Sequence, residues 1–318
     1  MRRGRLALLT LGGAVLVVFV VLVLAPRFQS PYELLNLTRF LLLALMAQGW
    51  NLIGGYTGYP AFGNVAFFGV GAYGTGILML SRHVPFFPAL AFATLLAAAI
   101  AVVLGFALLR LKGHYFAIAT LGVAEAFREI ADSWDSLTEG STGIDLPVRS
   151  DGDFFYYAAL ALVVAGLAVT AWLSRSKVGY AWIAIREDEE AARMMGIDTT
   201  RHKVVAFALS AGFAALAGGL TAYQSTHVTP TDFFKIDYTL QMIIACIIGG
   251  GGTVLGPVVG AAIFQLLSTT AWSHFSELHP SVLGLTIVLF VLFAPRGLMP
   301  LLRDGRRLIA AARAHRVT

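Results

Sequence analysis

FFPALAFATLLAAAIAVVLGFALL, residues 86–109, carries no charged side chain. At a rise of about 1.5 Å per residue, such a helix is longer than the roughly 30 Å of hydrocarbon in a bilayer. Comparable apolar stretches precede and follow it, over 6–26, 33–53, 61–80, 114–132, 154–174, 204–224, 233–249, 254–271 and 281–295. Hydrophobic residues make up 58% and charged residues 13% of the 318 positions, with a mean hydropathy of +0.76, whereas a soluble domain carries roughly 25% charge. The pattern predicts an all-α, polytopic helical bundle with about ten membrane-crossing segments and leaves no room for a separate soluble domain.

The basic residues set the expected orientation. Seventeen of the 23 Lys and Arg fall in 1–5, 110–113, 175–203 and 296–318. With 54–60 and 250–253, these are the segments on one side if every stretch crosses. The positive-inside rule then places both termini and the 175–203 loop in the cytoplasm. Arg2-Arg3-Gly4-Arg5 followed by Leu6–Ala25 resembles a signal peptide but is too long for its apolar core, and reads as an uncleaved first span. The net charge of +5 marks topology, with no basic face interleaved with aromatics for nucleic acid. The one cysteine, Cys246, lies in an apolar run and reads as helix packing.

Few ionisable groups lie within the spans. Glu125 and Arg128, three apart in the fifth, can neutralise each other, and Arg39 in the second can snorkel outward; an intramembrane charge is also a functional candidate. No phosphate-binding Gly-x-x-x-x-Gly-Lys-Ser/Thr loop, metal-type histidine spacing or protease signature occurs in the sequence. Enzyme chemistry and an ion-driven relay are therefore poor readings, and any energy source is expected on another polypeptide.

The loop SKVGYAWIAIREDEEAARMMGID, residues 176–198, predicts a helix over 181–195 with Glu189 and Arg193 paired at i,i+4. Gly196 stops it, and Asp198 or Thr199 caps the next helix. A solvated linker has no need of Trp182, Ile185 and Met195, whereas a surface that docks into a partner does.

Several motifs in order then resemble the M-type permease subunit of branched-chain amino-acid ABC importers. They are NLIGGYTG (51–58), FGNVAFFGVGAY (62–73), YFAIATL (115–121), LTEGSTG (137–143), AIREDEEAA (184–192), the glycine run from Gly249 to Gly256-Pro257, and APRGL (294–298). The resemblance implies an inner-membrane pore subunit with alternating access, one permease domain over 1–318 with a coupling loop at 175–203 and a basic tail at 296–318. It implies a second homologous permease, two cytoplasmic ATPase subunits that bind the ATP, and a periplasmic or lipid-anchored substrate-binding protein, all in membrane lipid. No cofactor, metal or nucleic acid is expected for this chain. Leucine, isoleucine and valine are the implied substrates; urea or a short amide is the alternative within the family, and a stand-alone channel the alternative outside it.

Glu190-Ala191-Ala192 with Gly196 is similar to the EAA coupling motif of ABC importers, although the later Ile-x-Leu-Pro is missing. Coupling to the ATPase is accordingly expected of Arg186, Glu187, Asp188, Glu190, Ala191, Ala192 and Gly196. Candidate path residues are Asn51, Gly55, Thr57, Gly58, Gly63, Gly69, Gly71, Tyr73, Thr120, Glu125, Gly249, Gly250 and Gly251. Glycines in a membrane expose backbone to a cavity or let helices approach closely, and both readings apply here. The acidic stretch 133–153, with Asp135, Glu139, Asp145, Asp151 and Asp153 against Arg149, suits either solubility or docking to a basic rim.

Overall fold

The computed structural model describes residues 22–149, 151–274 and 297–299. The expected spans at 6–26 (to residue 21) and 281–295 and nearly all of the 296–318 tail lie outside the described residues. Within them the chain is helical, apart from a two-residue antiparallel pairing of β1 (Ile144–Asp145) with β2 (His227–Val228).

The long helices follow from local signals. Helix α1 (Pro31–Trp50) starts with Pro31 at its first position and a capping box in which Ser30 and Glu33 bond each other's backbone. It continues as a wider π-helical turn over Asn51–Tyr56. Helices α2 (Asn64–Arg82), α3 (Phe86–Leu108), α4 (His114–Ser133) and α5 (Gly152–Ser174) follow. Then come two short helices, α6 (Lys177–Glu187) and α7 (Glu189–Met194), and the longest, α8 (Thr199–Ser225). Helices α9 (Ile236–Gly249) and α10 (Gly256–His274) form a hairpin closed by the glycine run.

Among the described residues, five helices are long and apolar enough to cross a membrane: α1 with its π turn, α2, α3, α5 and α8. Helix α4 has the length, but carries Glu125, Arg128, Glu129 and Asp132. Helix α9, at 14 residues, reaches only about 21 Å. The chain is thus an all-α, multi-pass membrane protein.

Helix α8 is the centre of the bundle, packed against α2, α3 and α1. Small residues allow this: a side chain at Gly71 would run into the Ala215 backbone, and one at Gly218 into Phe68. The α9–α10 hairpin is tighter still, since Gly249 faces Gly256 and Gly260 faces Ala245 backbone to backbone.

The connections segregate to two ends. The turns after α1, α3 and α9, the α6–α7 loop and Gly297 meet at one end, where Arg186 bonds Gly55, Lys203 bonds Leu109, Asn51 bonds Thr253 and Gly297 abuts Gly250. The segments before α5 and after α8 meet at the other, through β1–β2 and the Tyr73 hydroxyl bonded to Val228 O. The first end carries Arg110, Lys112, Arg175, Lys177, Arg186, Arg193, Arg201 and Lys203; we call it the basic end.

Candidate functional site at the basic end

The loop between α5 and α8 is two helices rather than the single helix expected over 181–195. Asp188 breaks it, with φ −158° and ψ 109°. The carboxylate of Asp188 accepts hydrogen bonds from the Glu190 and Ala191 amides at 2.9 and 3.0 Å, and this N-cap geometry is incompatible with a continuing helix. The expected Glu189–Arg193 pair forms at 3.2 Å. Gly196, at φ +86°, ends α7 with two closing bonds, from its own amide to Arg193 O and from the Ile197 amide to Ala192 O. Asp198, rather than Thr199, then caps α8 by accepting from the Arg201 amide at 3.1 Å.

Trp182 and Ile185 are buried in the chain's own bundle, and the Trp182 indole donates to His202 O at 2.8 Å. They anchor the loop instead of docking a partner, because α6 lies against the ends of α5 and α8. The surface presented outward is the other face: Glu187, Glu190, Ala191 and Gly196 are exposed, with Met194 90% and Met195 83% exposed. Glu190 pairs only at the surface, with Lys112 at 3.2 Å. Ala192 points inward and is buried.

Behind this face sits a buried polar node. Lys203, the fifth residue of α8, is 2% exposed. Its ammonium donates to Glu189 Oε1 at 2.7 Å, to the Tyr59 hydroxyl at 2.9 Å and to Leu109 O at 3.1 Å, and lies over the Tyr59 ring. The Tyr59 hydroxyl in turn donates to Glu189 Oε2, and Thr199 donates to Oε1 at 3.1 Å. Burial works against the Glu189 charge, but the hydrogen bonds from Lys203 and Tyr59 outweigh it and hold the carboxyl below its usual range. Burial and the Glu189 carboxylate push the Tyr59 phenol up. One node therefore ties α7 to the chain after α1, the end of α3 and the start of α8.

A second tie runs through Arg186. It donates from Nη1 to Gly55 O at 2.9 Å, rests its side chain on Gly58 and pairs with Glu187 at 3.0 Å. Asn51, wholly buried, closes the glycine turn: it accepts from the Gly252 amide at 2.7 Å and donates to Thr253 O at 2.9 Å. Gly251 lies against Gly55 and Gly252 against the Arg186 guanidinium, so Asn51, Gly55, Gly58 and the Gly251–Gly252 part of the turn assemble around Arg186, while Gly249 packs on Gly256 and Gly260.

The other candidate path residues are spread along the bundle. Thr57 is buried and bonds Ile53 O at 2.6 Å, while Thr120 bonds Ala117 O and receives the Phe62 amide. Gly63 packs on Thr120, Gly69 on the Phe234 ring and Gly71 on Ala215. Tyr73 stands at the opposite end. Glu125 pairs with Arg128 on the exposed side of α4. No group of acids, histidines or cysteines suited to a metal occurs among the described residues.

Tyr59 and Lys203 are absent from the expectations drawn from sequence. Lys203 is the fifth residue of α8, at the edge of the dipole's reach, so the helix start gives only a weak reason to expect a compensating anion. Nothing in the sequence identifies Glu189 as that anion, or Tyr59 as its neighbour.

Comparison with known proteins places these features. Residues 34–292 match the family described as branched-chain amino acid transport system / permease component. The "high-affinity branched-chain amino acid transport system permease protein LivM" of Salmonella typhimurium is 32% identical over 302 residues, covering 85% of this chain and 71% of the relative; its Escherichia coli K12 counterpart matches to the same extent. The "autoinducer 2 import system permease protein LsrC" of Salmonella paratyphi B is 28% identical over 211 residues, 60% of this chain and 58% of that protein. No solved structure matches.

Proposed function

The chain belongs to the permease components of branched-chain amino acid transport systems, and from that membership we propose that it is the M-type membrane subunit of an ATP-driven importer of leucine, isoleucine and valine. The observation that carries the proposal is the match to LivM over 85% of the chain. In this reading the protein crosses the inner membrane about ten times with both termini in the cytoplasm. The basic end faces the cytoplasm, as the distribution of Lys and Arg favours. The chain pairs with a second, homologous permease and receives substrate from a binding protein outside. Two ATPase subunits dock on the loop.

The exposed side of α7 and its flanks, with Glu187 at the end of α6, Glu190, Ala191 and Met194 on α7, and Met195 after it, is the surface those ATPases would press. Flexible methionines flanked by charge suit a docking face that must move with its partner. The buried node behind it supports a mechanical role, because a push on α7 reaches α8 through Lys203 and Glu189 rather than through slack chain. Alternating access would then follow from α8 moving with its neighbours α2 and α3.

The relative that imports autoinducer 2 shares less of its length with this chain, and favours the branched-chain reading by comparison. The test is ATP-dependent uptake of labelled leucine and of urea by vesicles containing the assembled complex. Leucine uptake that stops without ATP is the expected result; uptake of urea but not leucine, or uptake without ATP, would reject it.

A further inference from the structure

Helix α4 runs through the bundle from end to end. Its start follows Leu109, which bonds Lys203 at the basic end, and its last turns are tied to Thr138 in the segment that leads to β1 at the other. One face packs inward, with Phe116 against Tyr59 and Phe207, Thr120 under the Phe62 amide, and Ala124 beside Val65 and Ala66. The opposite face, with Ile118, Gly122, Glu125, Ala126 and Glu129, is exposed, and a Cβ added at Gly122 meets open space.

The depth of the carboxylates on this face is fixed by the packing. Ala124 lies beside Val65, whose neighbour Asn64 bonds Ser210 at 2.6 Å. Ser210 is the twelfth of the 27 residues of α8, so Glu125 stands level with the middle of the longest membrane-crossing helix. The end of α4 at Ser133 is about 12 Å further along the axis, too far for a glutamate to snorkel. Arg128 donates from Nε to Glu125 at 2.9 Å and has Glu129 at 3.6 Å, so one guanidinium serves two carboxylates that are 64% and 65% exposed. A surplus negative charge at this depth faces protein or water, not hydrocarbon. The apolar runs 6–21 and 281–295 contain no Lys, Arg or His and offer it no counter-charge.

We propose that this face of α4 packs against a membrane helix of the second, non-identical permease, which brings a Lys, an Arg or another hydrogen-bond donor level with Glu125. Charge and depth select this partner. A second copy of this chain, related by a two-fold axis, would set the same acidic face against itself, and a soluble subunit does not reach the middle of the membrane. Gly122 and Ala126, four apart on the exposed face, let the partner's backbone approach closely enough for its donor to reach the carboxylate. The inference rests on the importer reading, which supplies a second permease; the surface and the demand for a donor come from α4.

The test is cross-linking in the purified full complex. Gly122→Cys, a substitution into open space, is labelled with a thiol-specific photo-cross-linker, against a low background because Cys246 is fully buried. The expected product joins this chain to the second permease, at a helix carrying a basic or donor side chain. Cross-links only to lipid, within this chain or between two copies of it overturn the surface. In parallel, a tagged chain carrying Glu125→Lys is expected to recover about tenfold less of the second permease per inserted molecule, and Glu125→Gln to lose less. Unchanged recovery with Glu125→Lys also overturns it, and should that variant fail to insert, the cross-link and Glu125→Gln decide. If the wild-type complex holds a second permease and imports leucine but gives no such cross-link, only the surface falls; if no second permease co-purifies, the importer reading falls with it.

Discussion

The Lys203 ammonium lies 2.7 Å from Glu189 Oε1, with the two side chains 3% and 11% exposed. A buried pair of this kind adds little over an apolar contact when intact, but removing one member leaves the other charged and unmatched. The arrangement suits a joint between a surface helix and the bundle, because it ties α7 to α8 directly and not only through the short chain between Met195 and Thr199.

Replacing one member should therefore destabilise the protein. Lys203→Met is expected to cost about 3–5 kcal/mol, and Lys203→Met with Glu189→Gln distinctly less than the sum of the two single changes. Melting of the purified protein in detergent reads this directly. Additive losses would show that the two residues act independently.

The same pair predicts a pH dependence. The Glu189 carboxyl is held below its ordinary value, so its contribution is complete above the unfolded value of about 4.3 and disappears as pH falls through the lower folded value. Melting temperature should be insensitive to this group between about pH 5 and 7. The difference between wild type and Glu189→Gln should narrow only below about pH 4. A gap that closes already near neutrality contradicts the assignment.

Gly196→Val and Glu190→Lys separate strain from surface chemistry. Gly196 has open space around it but a φ of +86°, which costs a side chain about 1–2 kcal/mol. Glu190 is exposed, with 79% of its side chain accessible, so its replacement should leave melting unchanged. Both are expected to reduce ATP-driven uptake per inserted molecule while ATP hydrolysis continues. Normal uptake in Glu190→Lys would remove α7 from the coupling surface.

In the glycine run, position decides the outcome. A side chain at Gly249 would meet the backbone of Gly256 and Gly260, so Gly249→Ala should destabilise by roughly 1–3 kcal/mol. At Gly251 the nearest atom to an added Cβ is 3.5 Å away, and Gly251→Ala should melt like wild type. If Gly251→Ala also transports normally while larger residues there do too, the turn is packing alone and not part of the path.

Orientation can be read by thiol labelling. Cys246 is fully buried, so the native background is low. A cysteine at Ser141 should react with an impermeant reagent from outside, and one at Met194, which is 90% exposed, only after permeabilisation. The reverse pattern would invert the bundle and move the coupling surface to the wrong side.

The sequence by itself determined the helical membrane class, because apolar length and the cost of unpaired backbone in lipid act along one stretch of chain at a time. It also determined the loop's stop at Gly196 and narrowed the cap of α8 to Asp198 or Thr199, because these depend on residues within a turn of each other. The break at Asp188 was equally local, but the run from Ala181 to Met195 suits one helix by propensity, and the Asp188 cap decided for two. The inward direction of Trp182 and the outward direction of Met195 needed the tertiary structure, since an aromatic in a charged loop suits either. So did the meeting of Tyr59, Leu109, Glu189 and Lys203. Those residues lie on different helices far apart in the chain, and only the packing of α8 against α1, α2 and α3 fixes which side chains share a space too dry to leave a charge unmatched.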